Sequence, residues 1–140
     1  MNIDKMIIQI EEATKTHLNH PFKIGILPND GNIILGFPEA ILDFDDLGFK
    51  IYTFDGLIKL TYTGDFYEIK YSDISEIELG KYNFKEKYMK VILKDERFVA
   101  FNYSLKRNKY PYHAINVDRF FNKIESLSGT SNNVVDKVGD

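Results

Sequence analysis

The order of the predicted elements constrains this chain more than any single side chain does. Residues 49–103 read as one short strand after another, and one amphipathic helix follows at residues 116–127. Turn residues separate the apolar runs, and apolar and polar side chains alternate within them, as in strands with one solvated face. A helix after the last strand can cover the open end of such a sheet with its apolar stripe. The sequence therefore predicts an α+β fold, an antiparallel sheet or partly open barrel closed by a C-terminal helix.

The strands of this sheet are predicted at residues 49–54, 57–63, 66–71, 74–79, 88–93 and 97–103. Asp55-Gly56 predicts a tight hairpin turn between the first two strands, because these residues accept the positive φ angles that such turns need. Gly64-Asp65 predicts the next turn.

The segment before this run is predicted to add a hairpin. Residues 22–26 alternate like a strand, a turn at residues 29–32 follows, and residues 33–35 are apolar again.

An extra helix is predicted at the N-terminus. Asp4 caps it, and Pro21 limits it, because the residue before a proline is disfavoured in helical geometry. Its apolar stripe consists of Ile3, Met6, Ile7, Ile10 and Ala13. The C-terminal helix is predicted to start at a cap, Asn116, and its apolar stripe consists of Val117, Phe120, Phe121, Ile124 and Leu127.

The chain is therefore predicted to have three parts. Residues 1–20 form an N-terminal amphipathic helix packed on the domain, residues 21–127 form the domain itself, and residues 128–140 form a flexible tail. A length of 140 residues is that of one domain.

Composition excludes several classes of function. A formal net charge of -3 argues against binding duplex nucleic acid, which needs a concentrated cationic face. The absence of cysteine excludes a thiolate nucleophile and zinc sites with sulfur ligands, and it favours a reducing compartment. The first apolar cluster is too short and too interrupted for a signal peptide or a membrane span, which predicts a cytoplasmic protein. The high ratio of lysine to arginine is typical of A/T-rich genomes, such as those of Gram-positive bacteria and their phages.

The strand and turn pattern resembles that of a known family. Residues 49–60 read FKIYTFDGLIKL and residues 67–78 read YEIKYSDISEIE. These segments are similar to bacterial pleckstrin-homology-like (GRAM-like) domains, in which two strands and a tight turn precede an "Ile-Pro-x-x-Asp-Ile-x-x-Ile/Val" segment. The resemblance implies a pleckstrin-homology-like fold over residues 49–127. A cystatin-like curved sheet is the alternative, with residues 3–17 as its helix.

The lipid-binding function of that family is not implied here. Eukaryotic relatives that bind phosphoinositides carry basic residues in the loop between the first two strands. The early loops of this chain are acidic instead, with Asp30 in one of them and residues 43–46 in the other.

The titratable residues show no pattern of a catalytic or metal site. Asp43, Asp45 and Asp46 surround Phe44 in a predicted polar loop, but they lack the spacing of a calcium-binding loop. His17 and His20 are predicted at a helix end, and His113 follows in a distant loop.

Catalysis is not predicted either. No glycine-rich phosphate loop or nucleophile elbow occurs in the sequence. Glu76 and Glu78 are predicted on a solvated strand face. We therefore expect a protein that is not an enzyme and has neither a cofactor nor a metal ion.

One basic and aromatic stretch stands out as a contact site for a partner. Its members are Lys106, Arg107, Lys109, Tyr110 and Tyr112. The tyrosines would anchor a protein partner and the cations would select an acidic one, with the sheet edge and the C-terminal helix forming the groove. The sequence predicts a protein-binding adaptor or regulatory module of a bacterium or its phage. Peripheral binding to an anionic membrane is the alternative, and a small-ligand pocket among Phe54, Leu60 and Phe121 is a third possibility.

Overall fold

The computed structural model describes residues 3–28, 31–104, 110–128 and 134–137. In these residues the elements are α1 (Ile3–Thr14), β1 (Phe22–Ile26), β2 (Glu39–Phe44), β3 (Gly48–Asp55), β4 (Thr61–Lys70), a 3-10 turn (Tyr71–Asp73), β5 (Ile74–Lys81), β6 (Glu86–Leu93), β7 (Phe98–Ser104), α2 (His113–Ser128) and β8 (Val134–Lys137). No helix in the described part is long and apolar enough to cross a bilayer.

All strands belong to one sheet with the order β4-β3-β2-β1-β7-β6-β5-β8. Neighbouring strands are antiparallel, except that β8 runs parallel to β5. β1 joins the two halves, since it pairs with β2 on one side and with the middle of β7 on the other. The predicted antiparallel sheet with a C-terminal helix and an extra N-terminal helix is confirmed.

The C-terminal helix closes one end of the sheet with an aromatic plug. The ring of Phe120 lies 5.6 Å from that of Phe22, 5.2 Å from that of Phe44 and 5.3 Å from that of Phe49, measured between centroids. Ile124 is fully buried in the same core. Burial of a phenylalanine side chain such as that of Phe120 contributes about 2 to 3 kcal/mol to the free energy of unfolding.

The N-terminal helix covers the other face of the first strands. Met6 and Ile10 of α1 are fully buried against Ile41, Tyr52 and Phe54. β2 and β3 are therefore covered on both faces. This double coverage explains why a polar loop was wrongly predicted around Phe44: Asp43 and Phe44 belong to β2, which is buried along nearly its whole length.

Two strand predictions in the first half are wrong. Residues 33–35 are part of the loop between β1 and β2, and the partner of β1 is β2 instead. The strands predicted at 57–63 and 66–71 are one strand, β4, which begins only at Thr61. Gly64 has φ +89° and lies in a bulge, because Tyr52 pairs with Phe66 while Phe54 pairs with Tyr62.

The helix boundaries also differ from the prediction. α2 begins at His113, and Asn116 lies inside it, where its side-chain amide donates to the Pro21 carbonyl at 2.8 Å. α1 ends at Thr14, because Lys15 adopts a positive φ of 61°. β8 lies within the predicted tail and was not anticipated; it occupies the outer edge of β5, so the peptide groove predicted at a free edge is not open there.

Candidate functional site

The loops at the end of the sheet away from α2 form an open groove. Phe22, Phe44 and Phe49 hold α2 at one end of β1 to β3, and the β1-β2 and β3-β4 loops connect the opposite ends of these strands. Between the loops lies a groove of about 550 Å³, which we call the open-end groove. Its lining includes Leu35, Phe37, Glu39, Thr53, Asp55 and Leu60.

The β1-β2 loop is held in place by one buried asparagine. The Asn32 side-chain amide donates to the carbonyl of Leu27 at 3.0 Å and to that of Ala100 at 3.3 Å, and its oxygen accepts the Ile34 N–H at 3.1 Å. Ile34 is buried as a result. The loop then turns outward, so that Leu35 is 85% and Phe37 is 77% exposed.

The β3-β4 loop presents two more apolar side chains. Gly56 has φ +121°, and a Cβ there would lie 2.1 Å from the Lys59 carbonyl oxygen, so the turn requires glycine. Leu57 and Ile58 follow at its tip and are fully exposed.

A side chain of α1 holds the base of this loop. The Gln9 amide nitrogen donates to the Leu60 carbonyl at 3.3 Å, and the amide oxygen accepts the Tyr62 N–H at 2.9 Å. The loop is thereby tied to the helix at the point where β4 begins.

A second groove adjoins the first on the far side of the Leu57-Ile58 tip. It has a volume of about 980 Å³ and lies between α1 and the loop, with Ile8 and Lys5 on the helix side. Glu39, Gly56 and Leu60 line both grooves. The exposed Leu35 and Phe37 line the open-end groove, and the exposed Leu57 and Ile58 line the second groove. We call Leu35, Phe37, Leu57 and Ile58 the apolar rim.

The charged side chains of the open-end groove are acidic. Glu39 and Asp55 line it, and among its described lining residues there is no lysine, arginine or histidine. Lys23 partly balances Glu39 from outside, at 3.6 Å between Nζ and Oε2. The Thr53 and Thr63 hydroxyls hydrogen-bond to each other at 2.8 Å. The groove is therefore acidic and flanked by exposed apolar side chains.

The predicted basic and aromatic site is only partly within the described residues. Lys106, Arg107 and Lys109 lie outside them. The ring of Tyr110 packs against the α1 cluster, and burial raises its pKa. Tyr112 lies 5.7 Å from the Tyr110 ring and is 57% exposed, so it remains available for contact.

The histidines do not converge on one site. His17 and His20 follow α1 instead of lying on it, so their spacing does not place them on one helix face. His17 is paired with Glu11, with 3.4 Å between Nδ1 and Oε2, whereas the His20 ring packs on Phe44. His113 is buried at the start of α2.

The carboxylates are separated as well. Asp43 is buried, and Asp46 pairs with Lys123 on the surface. Glu78 pairs with Lys90 at 3.7 Å. No group of three potential ligands is placed for a metal ion within the described ranges.

The predicted small-ligand pocket does not form from its three residues. Phe54 and Leu60 line the open-end groove, but Phe121 packs on Tyr103, with 6.5 Å between ring centroids. The sequence pattern does not predict the apolar rim, because it favours strands at residues 57–63 and 33–35, which would place Leu57, Ile58 and Leu35 in the sheet. A signal was available: adjacent Leu57 and Ile58 directly after Asp-Gly cannot both face the core of a one-sided sheet.

Comparison with known proteins supports the fold. No protein-family model matches the chain, and no curated protein is significantly similar to it. Among solved structures, the hSac2 domain from the human phosphoinositide phosphatase Sac2 is similar over 100% of this chain and 92% of that domain, with a TM-score of 0.55 and 9% identity.

Two other structures are similar at lower scores. The N-terminal PH domain of human ARAP2 aligns over 79% of this chain and 83% of its own, with a TM-score of 0.42 and 18% identity. The Inner Membrane Complex Sub-compartment Protein 3 of Toxoplasma gondii aligns over 86% of both chains, with a TM-score of 0.43 and 14% identity.

The strand order, the closing α2 and the likeness to the first structure over the whole chain show that the fold is pleckstrin-homology-like. At such identities the likeness concerns the fold alone.

Proposed function

We propose that this protein is a non-catalytic module that binds another protein through the open-end groove. The observation that carries the proposal is the apolar rim: four large apolar side chains stand exposed on two neighbouring loops. Burying such side chains against a partner is favourable by roughly 25 cal/mol per Å² of apolar surface. Both adjoining grooves are open to solvent, which suits a protein surface better than an enclosed small molecule.

The loops that carry the rim are held in a defined shape. Asn32 fixes one loop by three hydrogen bonds, and Gln9 and Gly56 fix the other. A preorganised contact surface loses less entropy on binding than a mobile one.

The wider role is part of the same proposal. We infer an adaptor or regulatory module of the GRAM-like type in the cytoplasm of a bacterium or its phage, on the basis of the lysine-rich, cysteine-free composition and the strand pattern. Lys106, Arg107, Lys109, Tyr110 and Tyr112 are proposed as a second contact with an acidic part of the partner, which the exposure of Tyr112 supports.

A crosslinking experiment tests the groove. The full chain is expressed in its source cell with a photo-crosslinking amino acid in place of Ile58, and discrete protein adducts are identified. Leu35→Asp with Phe37→Asp is expected to reduce the adduct at least about tenfold, as loss of an interface anchor does. Both positions are exposed, so the fold should tolerate the change.

The matched control is Leu47→Asp, which also places a charge on an exposed leucine but in the β2-β3 loop at the opposite end. An adduct that survives the rim variant, or that the Leu47 variant removes equally, contradicts the proposal.

A further inference from the structure

A second surface lies at the tip of the hairpin formed by β5 and β6. Residues 81–87 read KYNFKEK, and we call them the lysine hairpin. Lys81 and Lys87 are direct cross-strand partners. Like charges in this position repel each other and lower the stability of a sheet. The pair therefore concentrates positive charge at a cost in folding stability.

The turn of the lysine hairpin is ordered and presents an aromatic ring. The Asn83 side-chain oxygen accepts the N–H of Lys85 at 2.8 Å and that of Glu86 at 2.9 Å, and the Tyr82 N–H donates to the Glu86 carbonyl at 3.0 Å. Phe84 projects from this turn and is 91% exposed. The ammonium of Lys85 lies 5.3 Å from the centre of the Phe84 ring.

The charge of the hairpin is only weakly compensated. Within the described residues, Lys81, Lys85 and Lys87 form no ion pair. Glu86 is the single acid of the segment, and its carboxylate accepts a hydrogen bond from the Asn102 amide. The overall charge of -3 does not cancel this local field, since exposed charges are screened beyond about 8 Å at physiological ionic strength.

The lysine hairpin is remote from the open-end groove. β7 begins at Phe98, which bridges to Asn32 of the groove loop, and ends at Ser104, which pairs with Glu86 of the hairpin. One strand of seven residues, about 20 Å, therefore separates the two surfaces. The segment with Lys106, Arg107 and Lys109 follows directly after Ser104 in the chain.

We propose that the lysine hairpin docks on an anionic lipid bilayer. Phe84 enters the headgroup region, where aromatic rings are favoured, and the three lysines contact lipid phosphates and carboxylates. The tip is the turn of a hairpin, and it carries the exposed ring of Phe84. Such a shape can enter a soft interface, whereas an extended peptide needs a groove. This attachment is independent of the protein contact proposed at the opposite end.

The chain offers a direct reporter of insertion, because it contains no tryptophan. Phe84→Trp places a single tryptophan at the apex, and Phe37→Trp places one on the apolar rim as the matched control. With phosphatidylcholine vesicles that contain phosphatidylserine, the emission of the Phe84 variant should shift to the blue and that of the Phe37 variant should not. Neither should shift with phosphatidylcholine alone.

The lysines are tested by flotation with the same vesicles. Each lysine near an anionic surface strengthens binding about fivefold, so changing Lys81, Lys85 and Lys87 to Gln should weaken it about a hundredfold. The control variant carries Gln at Lys15, Lys59 and Lys94, which removes the same charge elsewhere and should bind almost as the unmodified chain does. Circular dichroism confirms that each variant is folded.

Three results would overturn the proposal. The first is that neither flotation nor an emission shift occurs with anionic vesicles. The second is a blue shift from position 37 instead of position 84. The third is binding of soluble polyglutamate that depends on the hairpin lysines while vesicles are ignored, which would identify an acidic protein as the occupant.

Discussion

At the scale of single residues, Asp43 joins the segment after α1 to the sheet. Both carboxylate oxygens lie 3.0 Å from the Asn19 N–H nitrogen, and Oδ1 lies 2.6 Å from that of His20. Burial raises the pKa of Asp43, although these hydrogen bonds act to lower it. The acceptor, more than the charge, is therefore what the site needs.

This interpretation predicts different effects for two substitutions at Asp43. Asp43→Ala leaves two backbone donors without an acceptor and should cost about 2 to 3 kcal/mol of unfolding free energy, measured in urea. Asp43→Asn keeps one acceptor oxygen and should cost much less. The surface variant Asp46→Ala is the control and should change little. Equal losses for the two Asp43 variants would show that the charge itself is required.

His113 links β1, β7 and α2 in its neutral form. Nε2 lies 2.8 Å from the Ser104 carbonyl oxygen and donates to it, and Nδ1 accepts the Lys23 N–H at 3.4 Å. A second proton would place a donor on Nδ1 against that N–H. Burial lowers the pKa of His113, and the nearby Lys23 charge lowers it further.

The lowered pKa predicts a loss of stability in mild acid. The unfolded chain takes up a proton on His113 as the pH falls through about 6.5, whereas the folded chain resists protonation until lower pH. The neutral His113 side chain therefore contributes its full stabilisation above about pH 6.5, and this stabilisation declines as the pH falls below that value. His113→Gln should flatten the dependence of unfolding free energy on pH between about 7.5 and 5.5. If the pH dependence of His113→Gln equals that of the unmodified chain, this role of His113 is excluded.

At the scale of elements, each of the two proposed contact surfaces contains a local feature that affects stability. In the β3-β4 loop this feature is the positive φ of Gly56, which glycine adopts without steric cost. In the lysine hairpin it is electrostatic, between Lys81 and Lys87. Each has its own test by stability measurement.

The Gly56 turn predicts a steep cost for a methyl group. Gly56→Ala would place a Cβ on a residue with positive φ and only 2.1 Å from the Lys59 carbonyl oxygen. This substitution should lower the unfolding free energy by about 3 kcal/mol. Gly64→Ala, also at positive φ but with nothing within 4 Å, should cost about 1 kcal/mol. Urea unfolding compares the two. Equal costs would mean that the loop rearranges freely.

The lysine pair predicts a gain of stability on charge reversal. Lys81→Glu replaces repulsion across the strands by attraction to Lys87 and should raise the unfolding free energy by about 0.5 kcal/mol. Lys85→Glu, which has no cross-strand lysine partner, should give no such gain. If Lys81→Glu lowers the unfolding free energy, repulsion between Lys81 and Lys87 does not destabilise the native protein.

At the scale of the whole molecule, the sheet separates two surfaces of different chemistry. The apolar rim with its acidic groove lies at one end and the lysine hairpin at the other. A membrane contact at the hairpin would leave the groove facing a protein partner. The two surfaces should therefore act independently.

Crossed variants test this independence. The Leu35→Asp, Phe37→Asp variant should float with anionic vesicles as the unmodified chain does while losing its crosslinked partner. The triple glutamine variant of the lysine hairpin should show the opposite behaviour. Variants are expected to combine additively, because sites separated by more than about 10 Å seldom couple. Loss of both activities in either variant would indicate one shared surface.

Much of the second half of the fold could be predicted from the sequence. β5, β6 and β7 each have a clear apolar pattern bounded by turn residues, and all three were predicted to within two residues or so. The apolar stripe of α2 was predicted to close the sheet, and the ring contacts of Phe120 and the burial of Ile124 confirm this for both residues. These features depend on the local chain and on a single covered face.

The sequence by itself determined the class of the fold, the strands β5 to β7 and the helix that closes the sheet, because alternation and helical periodicity are local properties of the chain. Only the tertiary structure decided that β2 is covered on both faces, that β4 continues through Gly64, and that Leu57 and Ile58 stand exposed. The reason is physical: α1 covers β2 from a distant part of the sequence, and cross-strand pairing places the bulge in β4. Packing between such segments, rather than residue type, decides which apolar side chains are buried and which remain exposed.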